Sequence, residues 1–139
     1  MSEYKRITWN EMWMNIACEV AKRSADPKTQ VGAVLVKDNL ILGIGYNGAP
    51  KNFKLSFDWN TTEKYKYVIH AEMNAIANSR RSGIDLYGSS LYVTHSPCNE
   101  CIKLIVQFGI KKVYYKNKYK NFELTETIAE NSGVELIQL

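Results

Sequence analysis

Two apolar runs, Val31–Val36 and Leu40–Tyr46, are separated only by Lys37-Asp38-Asn39. Neither alternates apolar and polar side chains, as a strand with one wet face would. Short, nearly unbroken runs rich in Val, Ile and Leu belong to strands covered on both faces. The polar turn between them makes the pair a hairpin. Such a sheet needs helices above and below it, and the rest of the chain offers them. Thr8 and Glu11 have capping-box spacing, and Trp9, Met12, Trp13, Ile16 and Val20 then recur on one helical face. Pro27 forces a stop, with Asp26 before it biased away from helix. Residues 48–66 are polar and read as a long loop, a length that usually signals function.

Further along, the pattern predicts a helix from His70 to Ser82, a strand over Ser90–Thr94 and a helix from Cys98 to Phe108. Pro97 opens that helix and Gly109 closes it. A strand over Lys111–Tyr115, a basic aromatic loop over Lys116–Phe122, a helix over Glu123–Ser132 and a strand over Val134–Leu139 complete the chain. The order α-β-β-α-β-α-β-α-β predicts a three-layer α-β-α domain around a central five-stranded mixed sheet.

At 139 residues and 45% hydrophobic content, one domain spanning 1–139 is expected. Two halves would each be too small to bury a good core. The net charge of +4 suits a phosphate-bearing ligand but is too weak to argue for nucleic acid. No run of 18 apolar residues exists, so no membrane span is expected. The first residues carry no uninterrupted apolar stretch, so no secretory leader is expected. Three cysteines are too few, and odd in number, for a disulfide framework. A reducing, cytoplasmic setting is the simplest reading.

The chemistry concentrates in two short segments, His70-Ala71-Glu72 and Pro97-Cys98-Asn99-Glu100-Cys101. Each alone is weak. Together, each opening a predicted helix, they point to a metal. Cys98 and Cys101 share one helix face in a first turn, where the helix dipole and unpaired N–H groups favour thiolates. Two thiolates and the His70 imidazole make three ligands, the pattern of catalytic zinc with one position open. Thiolates neutralise the ion's charge and weaken its activation of water, so a nearby base is needed. Glu72, two residues beyond His70, is placed to serve. The competing readings are two buried thiols with a core histidine, or a purely structural zinc; the latter lacks a fourth ligand. Cys18 falls opposite Trp9 on the first helix and reads as a packing residue.

H-x-E…P-C-x-x-C is the established signature of zinc deaminases. The chain further resembles the deoxycytidylate (dCMP) deaminases over Arg23–Ala33, Gly43–Pro50, His70–Ile76 and Ser96–Ile105. The resemblance implies a cytidine-deaminase-like fold and hydrolysis of dCMP to dUMP and ammonia, supplying dUMP for thymidylate synthesis. It implies Zn2+ on His70, Cys98 and Cys101. Glu72 would take a proton from the attacking water, protonate N3, and later protonate the leaving amino group. The Ala71 N–H and Ser96 carbonyl would hold the pyrimidine edge, Asn47 would reach the deoxyribose and Tyr119 would cover the base. Many members of the family are hexamers activated by dCTP and inhibited by dTTP with Mg2+, and Gly45-Tyr46-Asn47-Gly48 resembles their effector motif.

For the phosphate, Arg23 and Ser24 are the candidates, with Arg80 and Arg81 a second pair at a regulatory site. His95, beside Ser96, either meets phosphate or is a surface residue. The Trp9/Trp13 stripe is core or subunit interface. The competing functions are a zinc deaminase of another cytosine or adenine substrate, such as a nucleoside or nucleic acid, and a non-catalytic zinc-bearing nucleic-acid-binding module.

Overall fold

The computed structural model describes residues 4–139. In order, the elements are α1 (Trp9–Ala21), β1 (Gly32–Lys37), β2 (Leu40–Tyr46), a 3₁₀ helix (Thr62–Lys66), α2 (Ala71–Arg81), β3 (Ser90–His95), α3 (Asn99–Gln107), β4 (Lys112–Asn117), α4 (Phe122–Asn131) and β5 (Glu135–Gln138). The strands form one sheet in the order β2-β1-β3-β4-β5. β1 runs antiparallel to β2 and β3, while β3, β4 and β5 are parallel. The mixed sheet follows from the connections: a tight hairpin joins β1 to β2, whereas α3 and α4 are the crossovers that parallel neighbours require. Asp38 and Asn39, both at positive φ, make the two-residue hairpin turn.

Two cores flank the sheet. On one face, α1 sets Trp13, Met14 and Ala17 against Val34, Val36 and Tyr92. On the other, α2, α3 and α4 cover Ala33, Leu35, Leu91, Val93 and Val113. The alternation of β1 between the two clusters explains its unbroken apolar run: both of its faces are dry, and burying each such side chain contributes about 1.5–3 kcal/mol.

The same reading fails for β2. It is an edge strand, and Leu40, Ile41 and Ile44 stay exposed. Its outward carbonyls are instead covered by α2, as Asn74 and Asn78 donate side-chain N–H groups to Tyr46 and Ile44, each at 2.8 Å. On α1 the capping box forms as expected, but the buried face is Trp13, Met14, Ala17 and Ala21. Of the anticipated stripe, Trp13 is buried, Met12, Ile16 and Val20 are half-buried and pack against the same core, and Trp9 is exposed. The helix also ends at Ala21, in a turn well before Pro27. Cys18 packs against the α1-side core.

The segment 48–66 contains the 3₁₀ helix, capped by Thr61. Its rings cluster, Phe57 lying 4.9 Å from Trp59, 5.4 Å from Tyr67 and 6.2 Å from Phe53. β4 runs on to Asn117, because β3 also lengthens to His95 and pairs with it.

Candidate active site

The site forms where the amino ends of α2 and α3 meet. His70 is the N-cap of α2 and Cys98 the N-cap of α3. Each is therefore fixed by the helix start it terminates. Gly48 and Ile69 exchange backbone hydrogen bonds at 3.1 and 2.8 Å, which pins the residue before His70. The Thr125 hydroxyl donates to the Pro97 carbonyl at 2.8 Å, pinning the residue before Cys98.

His70 Nδ1 lies 3.3 Å from Cys101 Sγ and 3.5 Å from Cys98 Sγ. All three donor atoms fall within 4.8 Å of one another. With Zn–S near 2.3 Å and Zn–N near 2.0 Å, an N-to-S edge of a tetrahedral site is about 3.5 Å, so this donor set fits zinc. Cys98 Sγ also accepts the Cys101 N–H at the helix start. Hydrogen bonding from Cys101, then from His70, pulls the Cys98 thiol down to about 3 against the effect of burial. The hydrogen bond to Cys98, with burial, pushes the Cys101 thiol up. The hydrogen bond to Cys98 raises His70.

Glu72 sits one turn-quarter past Ala71 in α2 and is 4% exposed. Burial raises its carboxyl to about 7, opposed by its backbone N–H and by His70. A carboxyl poised there can exchange protons near neutrality in either direction.

One cavity of about 190 Å³ gathers most of the expected residues: Asn47, His70, Ala71, Glu72, His95, Ser96 and Tyr119 line it. Asn47 is buried, with Oδ1 accepting from Val31 N at 2.8 Å and Nδ2 donating to Thr29 O at 2.9 Å. One amide N–H remains uncommitted by these bonds. Ala71 opens α2, where backbone N–H groups lack helical partners. Ser96 Oγ accepts the Tyr119 N–H at 2.6 Å, which places that ring at the rim. His95 is half-buried, its Nδ1 3.3 Å from Thr94 Oγ1, and burial lowers its pKa.

The structure does not bring the expected phosphate pair to this wall. Arg23 is exposed and lies over the Tyr46 ring, 5.8 Å from its centroid. The Ser24 hydroxyl donates to Asn47 O at 2.8 Å and accepts from Asp26 N, supporting the site from behind. Arg80 and Arg81 are exposed at the far end of α2, with Arg80 bonded to Ile84 O. Gly45 faces α2, where a Cβ would overlap the backbone of Ala75 and Ala71; the residue is needed for packing.

Three groups on the wall were missed by sequence reasoning: Asp26, Lys64 and Tyr65. Lys64 Nζ meets Asp26 Oδ2 at 2.7 Å. Asp26-Pro27 carried the turn signal of an Asx motif, realised as Asp26 Oδ1 accepting from Lys28 N and Thr29 N. Nothing in the polar loop distinguished Lys64 from its neighbouring lysines.

Comparison with known proteins agrees with this geometry. Residues 7–117 match the family model of the cytidine and deoxycytidylate deaminase zinc-binding region. The chain is 45% identical over 128 residues to deoxycytidylate deaminase of Mus musculus, covering 86% of this chain and 71% of that protein. The crystal structure of dCMP deaminase from cyanophage S-TIM5, in complex with dCMP and dUMP, superposes with a TM-score of 0.87 at 34% identity, covering 98% of this chain and all of that one. A diaminohydroxyphosphoribosylaminopyrimidine deaminase/reductase of Thermotoga maritima aligns at TM-score 0.71 and 31% identity, covering 94% of this chain and 36% of that one.

Proposed function

Because the chain belongs to the cytidine and deoxycytidylate deaminase family and is a deaminase, we propose that it removes the 4-amino group of dCMP to give dUMP and ammonia. The observation that carries this reading is a three-donor metal cluster whose histidine lines the cavity together with a buried carboxyl two residues beyond it.

His70, Cys98 and Cys101 would hold zinc, which when bound supplies the Lewis acidity that makes water nucleophilic near neutral pH. The chain's own groups do the rest. Glu72 accepts a proton from the attacking water and passes it to the ring N3, then takes the remaining proton from the new C4 hydroxyl and passes it to the departing amino group as the C4 carbonyl forms. Its burial beside the ligand His70 supports that shuttle. The Ala71 N–H and Ser96 carbonyl hold the edge of the pyrimidine. Asn47, rigidly held by two backbone partners, reaches the sugar, and Tyr119 covers the base from solvent.

Control by dCTP with Mg2+ as activator and dTTP as inhibitor is part of the same proposal. The Gly45-Tyr46-Asn47-Gly48 segment is its site, and Arg80 with Arg81 is a second candidate surface. Gly48 is bonded to Ile69, so a ligand on this segment has a short path to His70. Assembly as a hexamer is proposed on the exposed apolar strip of Trp9, Ile41 and Ile44. A cytoplasmic setting is proposed on the three free thiols. No described helix is long and apolar enough to cross a membrane.

The test is to incubate the purified protein with dCMP, deoxycytidine or a cytosine-containing oligonucleotide and to follow loss of cytosine absorbance, with and without a zinc chelator. Zinc-dependent conversion of dCMP alone is expected. Conversion only of another of these substrates would overturn the substrate assignment, and no conversion of any would overturn the catalytic one.

A further inference from the structure

We propose that Lys64, anchored by Asp26, receives the phosphate of the substrate and so makes this site select a nucleotide over a nucleoside. The inference rests on the reading of the site as a dCMP deaminase. It starts from the cavity wall. Among the described residues that line the cavity, Lys64 is the one lysine or arginine. Arg23 lies against Tyr46, and Arg80 bonds the Ile84 carbonyl, both away from this wall.

Lys64 is held as a receptor would be. Its side chain is 12% exposed and that of Asp26 3%. Asp26 cannot turn away, since its other oxygen accepts two backbone N–H groups at 2.9 and 3.2 Å. Burial works against the Asp26 charge, but the Lys64 hydrogen bond and these backbone donors outweigh it and hold the carboxyl below its ordinary range. An ammonium has three N–H donors. Among the described residues, Asp26 Oδ2 takes one of them at 2.7 Å, and two remain for an anion at the wall.

A buried ion pair contributes little to stability compared with an apolar pair of the same shape, so stability alone is a weak reason for this one. The segment that carries Lys64 is itself built. The 3₁₀ helix is capped by Thr61, the rings of Phe53 and Phe57 pack with Tyr67 just after it, and Trp59 packs on Phe57. His95, on the same wall, offers a ring N–H as a second donor.

The experiment titrates wild type, K64Q and K64R with dUMP, the product of the proposed reaction, and with deoxyuridine, which lacks only the phosphate, by calorimetry. In wild type, dUMP should bind about tenfold or more tighter than deoxyuridine, the scale of one charge-assisted hydrogen bond. K64Q should erase most of that advantage and K64R should recover much of it. An unchanged dUMP-to-deoxyuridine ratio in K64Q overturns the assignment. Equal weakening of both ligands also overturns it, since that is what a merely structural lysine would do. Should K64Q fail to fold, inorganic phosphate added to wild type must shift the Lys64 ammonium signal in nitrogen NMR; an unmoved signal overturns the proposal. Wild type that binds neither ligand sinks the dCMP reading together with this one. Wild type that prefers dUMP, with K64Q preferring it equally, leaves that reading intact and removes Lys64 alone.

Discussion

Replacing Glu72 by Gln keeps the shape of the side chain and removes its charge, which separates what the carboxyl does for catalysis from what it costs the fold. The group is 4% exposed, and burial lifts its pKa from 4.5 to about 7. At roughly 1.4 kcal/mol per pH unit, that displacement is worth about 3 kcal/mol. The sign is set by which state holds the proton. Near pH 4 the carboxyl is protonated in both states and the penalty is absent. Between pH 4.5 and about 7 the unfolded chain releases the proton while the folded chain keeps it, so wild-type stability falls. Above about pH 7 both are ionised and the full penalty remains. E72Q has no such penalty. Urea unfolding of the chelator-stripped proteins should therefore show E72Q more stable than wild type by up to about 3 kcal/mol at pH 8, with the difference shrinking toward pH 4. Turnover of the zinc-loaded variant should fall by roughly 10²- to 10⁴-fold. Equal stability at pH 8, or a difference that does not depend on pH, would refute the reasoning about burial; retained turnover would refute the proton-shuttle role.

Other expectations follow from the same geometry. C98S, C101S and H70A should each lower bound zinc sharply, read by elemental analysis after dialysis, because three ligands leave no redundancy. G32A should cost about 1–3 kcal/mol or more in urea unfolding, since its Cβ would overlap the backbone of Ala17 and Ala21 and force α1 off the sheet. D26A should cost about 3 kcal/mol, the scale of stranding one partner of a buried pair. In wild type, the contribution of Asp26, whose folded pKa lies below its ordinary value, is present above the unfolded pKa and lost as pH falls through the folded one; a D26A stability deficit that stays constant on acidification would refute that linkage. Addition of dCTP with Mg2+ should raise the rate on dCMP and dTTP should lower it, checked by initial rates at subsaturating substrate.

The legible part of this protein is the part written in local code. Thr8 and Glu11 announce a capping box and form one. His70 and Cys98 fall at helix starts because each precedes a run of helical periodicity, and each becomes an N-cap. The metal cluster was readable because its three donors lie in two short segments of fixed spacing. The exposure of β2 was not readable, because the same apolar run serves a central or an edge strand and only strand order distinguishes them. The apolar face of α1 packs on the sheet as read, except at Trp9, which stays exposed: apolar residues cover a wide arc, and the sheet beneath decides how much of it is covered.

The sequence by itself determined the α/β class, the helix starts and the chemistry of the donor set, since spacing of three or four residues on a helix fixes which side chains share a face. Only the tertiary structure decided which charge reaches the cavity. Arg23 opens one of the segments that carry the family resemblance, yet it lies over the Tyr46 ring. Lys64 comes from a loop with no local signal and reaches the wall because Asp26, 38 residues earlier, is already fixed there by its own backbone. That partnership depends on where two distant segments lie in space, which short-range spacing cannot encode.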